Sequence, residues 1–493
     1  MRAWQRVTPT PKDVRLEDQR ISLGDQWCVQ APPEWQKARQ AWRTAFRLSE
    51  DLDLEKTVRL KQETMELGEY KIKIRPDCVE VVAGDELGAQ YALYTLWQLS
   101  PDGWIPIGEI SDGPMLKMRG FHVNFDSYRQ MDFDEAAYVL QHAARMKLNT
   151  VLVEYSNRFP FVKHGRIQAP TALRREQVEQ LVSLASENNL EIIPLQQSIG
   201  HLDYLLRHDA YAHLREEDVH RDQWCPLHPE SFQVWTELVE EMLALHPGIR
   251  YLHVGGDEAR RLGQCPKCRE KVEKYGVSRL YIDYMNQVIA WLAERSITPI
   301  IWDDMLCAHP EALEDLDRRL VIMYWEYWTT GKSSPYFIAR YDRAGKPVTV
   351  CDERWKSEWA HELTDLERSV MSRFARPVPL EESLGPKFLN LYGPYLGPEF
   401  PKRIKAYPYL EFYQDRGFKV ITAPTTLGNG DNYHSLPNYW RFVPNIRTAC
   451  ERAAEAGAEG VVTTAWYNYT PLMFHFGLAA TAQFAWGGFE AHM

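Results

Sequence analysis

The stretch Tyr251-Leu252-His253-Val254-Gly255-Gly256-Asp257-Glu258 runs from apolar, strand-like residues through two glycines into two adjacent carboxylates. The glycines let the backbone leave a strand without a side-chain clash, so Asp257 and Glu258 point in different directions from one short hook. Carboxylates this close repel, and with partial burial at least one pKa rises. That is the condition a general acid needs near neutral pH. A bare Asp-Glu pair is ordinarily solvated; this one gains weight from its place at the end of an apolar run.

Positioning such a pair requires a scaffold, and the chain supplies eight strand-like runs separated by helix-length segments. They fall at 119–125, 150–156, 191–197, 250–256, 298–303, 320–327, 418–424 and 460–466. Parallel strands covered on both faces read as continuous apolar runs, so the pattern predicts an α/β fold, a (β/α)8 barrel, whose chemistry lies at strand C-terminal ends. Besides Asp257 and Glu258, the strand ends offer Arg119, Gly200-His201, Trp302-Asp303-Asp304, Trp325-Glu326 and Trp466-Tyr467-Asn468. Three tryptophans make an apolar box, and Arg, Asp and Asn beside it suit hydroxyl groups, so a polar ring-shaped ligand fits. Residues 1–112 predict a separate small α/β domain, with strands at 69–75 and 78–82 around Pro76-Asp77 and a helix over 88–99. Residues 113–493 form the barrel, with an insertion at about 328–417 that carries a strand-like run at 348–351. Its aromatics Trp355, Trp359, Tyr392, Tyr395 and Tyr413 are expected to wall the site.

The 493 residues include 57 Lys+Arg against 68 Asp+Glu, a net charge of −11, which argues against a nucleic-acid partner. No run approaches the roughly 20 apolar residues of a membrane span, and the start resembles no signal peptide, so a cytoplasmic location and no membrane partner are expected. Seventeen Trp and 25 Tyr offer flat surfaces to sugar rings. Cys265-Pro266-Lys267-Cys268 has the spacing of half a zinc site, and Cys225 and His228 are the candidates to complete it. Free thiols are the more ordinary reading, and no metal and no cofactor are expected. His253 is expected to pack inside the barrel, and Glu326 is either catalytic by position or a support of the pocket; Asp303 and Asp304 are stronger site candidates, unless one of the pair only caps the following helix.

His253-Val254-Gly255-Gly256-Asp257-Glu258 resembles the His-x-Gly-Gly-Asp-Glu signature of glycoside hydrolase family 20, the β-N-acetylhexosaminidases. Met118-Arg119-Gly120, Gly200-His201 and the segment Gly88 to Leu99 resemble further family motifs. The segment Pro194 to Asp203 is most similar to an intracellular, hexosaminidase D-like branch. The resemblance implies a retaining exo-hydrolase acting on glycans or glycosides that end in an N-acetylhexosamine. Glu258 would be the acid and then the base; Asp257 would orient the substrate's own 2-acetamido group, which attacks to form an oxazolinium ion. By the same resemblance Arg119 would hold sugar hydroxyls, Trp302, Trp325 and Trp466 would enclose the acetamide and the sugar face, and His201 would belong to the surrounding network.

Asn124 and Gln197 stand where relatives carry Asp, and Asn468 where many place a Glu on the sugar. Ala423 to Gly428 lacks the Tyr that in many members meets the acetamido oxygen; Tyr395, Tyr433 and Tyr467 are candidates. An O-GlcNAcase-like retaining hydrolase and a sugar-binding protein without turnover remain alternatives, and an oligomer is compatible with the sequence.

Overall fold

The computed structural model describes residues 6–126, 131–339, 348–427, 438–466 and 471–487. The chain forms two compact units, the first made of residues 1–119, 141–149 and 478–493, the second of 120–140 and 150–477. The first unit therefore takes in more than the 1–112 expected from sequence.

In the first unit, Tyr70–Ile74 and Cys78–Ala83 alternate buried and more exposed residues and pair antiparallel, Tyr70 opposite Ala83, as period-2 patterning dictates. They belong to a six-stranded mixed sheet that runs from Asp13–Ser22 at one edge to Trp27–Gln30 at the other. The helix Glu86–Leu99 begins two residues earlier than expected, because the Asp85 carboxylate accepts the Gly88 N–H at 2.7 Å and caps it. Trp27, Trp42, Tyr70, Ile72 and Val81 lie in the core of this unit.

The barrel strands are β1 (Met118–Asn124), β2 (Thr150–Glu154), β3 (Glu191–Leu195), β4 (Tyr251–His253), β5 (Thr298–Trp302), β6 (Val321–Trp325), β7 (Lys419–Ala423) and β8 (Gly460–Ala465). Each lies within a run expected from sequence, or within one residue of it. They pair in chain order, and β7 closes on β8 through Ile421 opposite Gly460. All of β2 and all of β8 are buried, which explains their continuous apolar patterning. The helix Tyr439–Glu455 buries Phe442, Ile446, Ala449 and Ala453, a stripe at helical spacing.

The insertion after β6 builds a structure of its own. Tyr336–Ala339, Val348–Asp352 and Arg376–Val378 form a three-stranded sheet, and Tyr336, Cys351, Trp355 and Val370 form a separate small core. Its aromatics differ from the expected wall. Trp355 is buried in that core, Tyr392 donates to the Cys307 carbonyl at 2.8 Å, and Tyr413 donates to the Asp303 carbonyl at 3.2 Å. Tyr392 and Tyr413 thus brace the segment after β5.

Candidate active site

After β4 the chain stays in register for one more residue, with the Val254 N–H bonded to the Ile300 carbonyl at 2.8 Å, and then turns. Gly255 and Gly256 have φ of +66° and +87°. A Cβ on Gly255 would lie 1.8 Å from Gln197 Oε1, and one on Gly256 would lie 2.8 Å from Ile301 Cγ1. Both positions therefore demand glycine twice, by conformation and by space. Tyr281 holds the turn by donating to the Gly256 carbonyl at 2.7 Å. Glu258 is itself left-handed, with φ of 49°, and its N–H donates to Asp304 Oδ2 at 3.0 Å. Strain of this kind persists only where surrounding bonds enforce it.

Asp257 and Glu258 end in different surroundings. Asp257 Oδ2 lies 3.1 Å from His201 Nε2, while Oδ1 is buried and has no hydrogen-bond partner among the described residues. Burial pushes the Asp257 carboxyl up, but the charge and hydrogen bond of His201 outweigh it, so its pKa lies below the ordinary value. His201 is raised to about 10, first by the Asp257 charge, so its ring is a cation at neutral pH. The Glu258 side chain is 36% exposed; Oε1 lies 2.6 Å from Arg260, and Oε2 lies 3.7 Å from His201. The loop thus presents an ionised, buried carboxylate with one open oxygen beside an accessible carboxyl in reach of solvent. The first can accept an N–H and face a developing cation; the second can pass a proton.

The tryptophans expected at the strand ends are brought together. The Trp302 ring lies 5.7 Å from that of Trp466, and Trp466 donates through Nε1 to the Tyr327 hydroxyl at 2.9 Å. Tyr327 in turn stacks on Trp325 at 5.2 Å. His253 is fully buried against Trp302 at 4.4 Å, and burial lowers its pKa to about 3, which makes it a neutral floor residue. Asp304 is tied into the site by two bonds. Its Oδ2 fixes the Glu258 amide, and its Oδ1 accepts the Trp325 indole N–H at 3.4 Å. Asp303 accepts the Trp325 amide N–H at 3.1 Å, and Glu326 accepts the amides of Trp328 and Thr329 at 2.8 and 2.9 Å.

Arg119 does not join this group, contrary to the sequence expectation. It stands near the N-terminal end of β1, 2% exposed, and its guanidinium donates to the carbonyls of Lys147, Leu116 and Lys117 at 3.0, 2.8 and 3.1 Å and to the Tyr91 hydroxyl at 2.7 Å. A fork so fully engaged has no donor pair left for a sugar. Tyr395 is bonded to Asp415 at 2.8 Å. Asn468, Tyr433 and Tyr467 lie outside the described residues.

Two contributors were not foreseen. Arg260 is separated from Glu258 by one residue, and that spacing was the only signal for their contact. Glu154, at the end of β2, accepts from Asn124 at 3.3 Å and lies 3.5 Å from both Gln197 and His122. Its register opposite Asn124 follows from the barrel pairing.

Comparison with known proteins agrees with this geometry. The family model for the glycosyl hydrolase family 20 catalytic domain matches residues 118–354, and that for domain 2 of the same family matches residues 5–113. The chain is 36% identical over 168 residues to hexosaminidase D of Bos taurus, covering 33% of this chain and 49% of that protein. It is 33% identical over 187 residues to hexosaminidase D of Homo sapiens, covering 36% of this chain and 38% of that protein. It thus spans half or less of the length of these relatives. The solved structure of the GH20 β-N-acetylhexosaminidase from Streptomyces coelicolor A3(2) superposes with a TM-score of 0.66 at 17% identity, over 98% of this chain and 91% of that one. With both family domains matched in order and the Gly-Gly-Asp-Glu hook at the end of β4, the chain belongs to glycosyl hydrolase family 20.

Proposed function

We propose that the chain is a retaining exo-β-N-acetylhexosaminidase that removes a terminal GlcNAc or GalNAc by substrate-assisted catalysis. The observation that carries this reading is the unsatisfied, buried Oδ1 of an ionised Asp257. A buried acceptor without a donor is costly, and the N–H of a 2-acetamido group is a donor of the right kind. Held there, the acetamide places its carbonyl oxygen toward the anomeric carbon. Glu258 protonates the glycosidic oxygen, the C1–O bond breaks, and the acetamide oxygen closes on C1. Asp257 stabilises the positive charge that develops on the ring nitrogen, in a site walled by Trp302, Trp325 and Trp466. Glu258, now deprotonated, takes a proton from water, which opens the ring at C1 from the face the aglycone left. Two inversions give net retention without an enzyme nucleophile.

The substrates are glycans or glycosides that end in an N-acetylhexosamine, and Asn468 remains a proposed contact to the sugar. The eight cysteines, all thiols in the structure, fit an intracellular setting. Release of chromophore from an aryl N-acetyl-β-glucosaminide, with the β-anomer as first product by NMR, supports the reading. Quenching of Trp fluorescence without chromophore release means a sugar-binding protein, and an α-anomer means an inverting enzyme.

A further inference from the structure

The loop that leaves the Asp257–Glu258 hook ends in a second cluster with chemistry of its own. Cys265 stands at the N-cap of the helix Pro266–Tyr275, and its sulfur accepts the Cys268 N–H at 3.3 Å. Cys225, from the segment between β3 and β4, closes on both, with Sγ 3.4 Å from Cys265 Sγ and 3.5 Å from Cys268 Sγ. Glu216 completes the group. Its Oε1 accepts the N–H groups of Gly263, Gln264 and Cys265 at 2.9, 2.8 and 3.1 Å. Its Oε2 is buried with no partner among the described residues, although Glu216 is only 2% exposed. One ligand atom from each of Glu216, Cys225, Cys265 and Cys268 lies within 4.8 Å of all the others.

We propose that Cys225, Cys265, Cys268 and Glu216 bind one structural zinc ion. Zn–S bonds of about 2.3 Å in a tetrahedron give S···S edges of about 3.8 Å. The sulfur separations here are slightly shorter than that and far longer than the roughly 2 Å of a disulfide bond. A compact set of three sulfurs and one carboxylate oxygen selects zinc, whereas magnesium and calcium take oxygen-rich shells. The orphaned Oε2 gives the observation independent of the cysteines: a buried carboxylate oxygen lacking a donor is satisfied by a cation. Support around the ligands is in place as well, because the Cys268 N–H orients the Cys265 sulfur and three amides orient the Glu216 carboxylate. His228, the fourth ligand considered from sequence, has its Nδ1 occupied by the Glu230 N–H at 3.3 Å, and Glu216 takes that place.

With four protein ligands the site is closed, and the ion takes no part in hydrolysis. Its effect is to tie three separated segments together. The same Glu216 carboxylate that would bind the ion also fixes the amides of residues 263–265, the end of the loop that carries Glu258 and Arg260. The proposal stands on these groups alone and does not depend on the hydrolase reading.

The test uses the full chain purified without chelators and without a metal-affinity tag. Elemental analysis should find one zinc per chain, and titration with p-hydroxymercuribenzoate should release it to a chromogenic zinc indicator as three thiols react. Cobalt supplied in place of zinc should give thiolate-to-cobalt charge transfer and the visible bands of a tetrahedral site. Cys225→Ser should lose the metal. Should that variant fail to fold, Glu216→Gln serves, since it keeps the side chain's shape while weakening one ligand; a competing chelator should strip it at about 10–100-fold lower concentration than wild type. Metal-free folded protein with three alkylatable thiols, or with Cys225 in a disulfide to Cys265 or Cys268, overturns the proposal.

Discussion

Replacing His201 with Gln should move the acid side of the pH profile upward. In the wild type two influences act on Asp257: burial pushes its carboxyl up, and the His201 cation at 3.1 Å more than offsets that, leaving the pKa below 3.8. The histidine is in turn raised from 6.5 to about 10, chiefly by the Asp257 charge. Asp257 must be ionised to accept the acetamide N–H, so activity falls as pH drops through its pKa. Glutamine removes the counter-charge but not the burial, and the carboxyl then titrates at higher pH. A hydrogen bond to a charged group is worth about 1.5–3 kcal/mol. Because the His201 side chain is 44% exposed, solvent screening reduces this to about 1–2 kcal/mol, or about one pH unit at 1.36 kcal/mol per unit. The alkaline side moves the other way. Wild type should lose activity as pH rises toward about 10 and His201 loses its proton, whereas His201→Gln should show no such step. The assay is kcat/KM for a chromogenic N-acetylglucosaminide across the acid and alkaline range. An acid limb that coincides with that of wild type, or lies below it, would refute the reasoning.

Arg119→Lys should lower stability by about 1–3 kcal/mol in denaturant unfolding while leaving KM unchanged, because a point ammonium cannot serve three carbonyls and a hydroxyl. A raised KM with unchanged unfolding would return Arg119 to the sugar. Gly255→Ala places a side chain at φ +66° and forces Gln197 aside; it should cost at least about 1–2 kcal/mol and most of the activity, read by thermal melting and kcat/KM. Asp304→Ala removes the acceptor for the Glu258 amide and the Trp325 indole, and kcat/KM should fall about 10²-fold on good and poor leaving groups alike. Unchanged kinetics would make those two bonds irrelevant to catalysis.

The barrel was legible because its strands are buried on both faces, so the continuous runs of Val, Leu and Ile at 151–153, 192–193 and 461–462 carried the strand signal. The dyad was legible for a local reason: Gly255-Gly256 before Asp257 is a backbone requirement written in adjacent residues. Where partners come from other segments, the sequence was silent. Arg119 sits at the beginning of its strand, so reading it among strand ends misdirected its side chain. Asp304 reads as a site residue from its place after Trp302, but its bond to the Glu258 amide appears only in the fold. Glu216 looks like one more solvated carboxylate, and only the folded chain sets it 47 residues from Gly263 in sequence but at 2.9 Å in space.

The most direct test of substrate assistance fluorinates the substrate's acetyl group. A plot of log kcat/KM against the number of fluorines, from acetyl through trifluoroacetyl, should fall steadily for wild type, because each fluorine withdraws electron density from the attacking carbonyl oxygen. Asp257→Asn should be slow throughout and show a shallower slope, since a neutral amide no longer stabilises the developing cation. A flat wild-type line, or a glycosyl ester trapped on any carboxylate, would contradict the account.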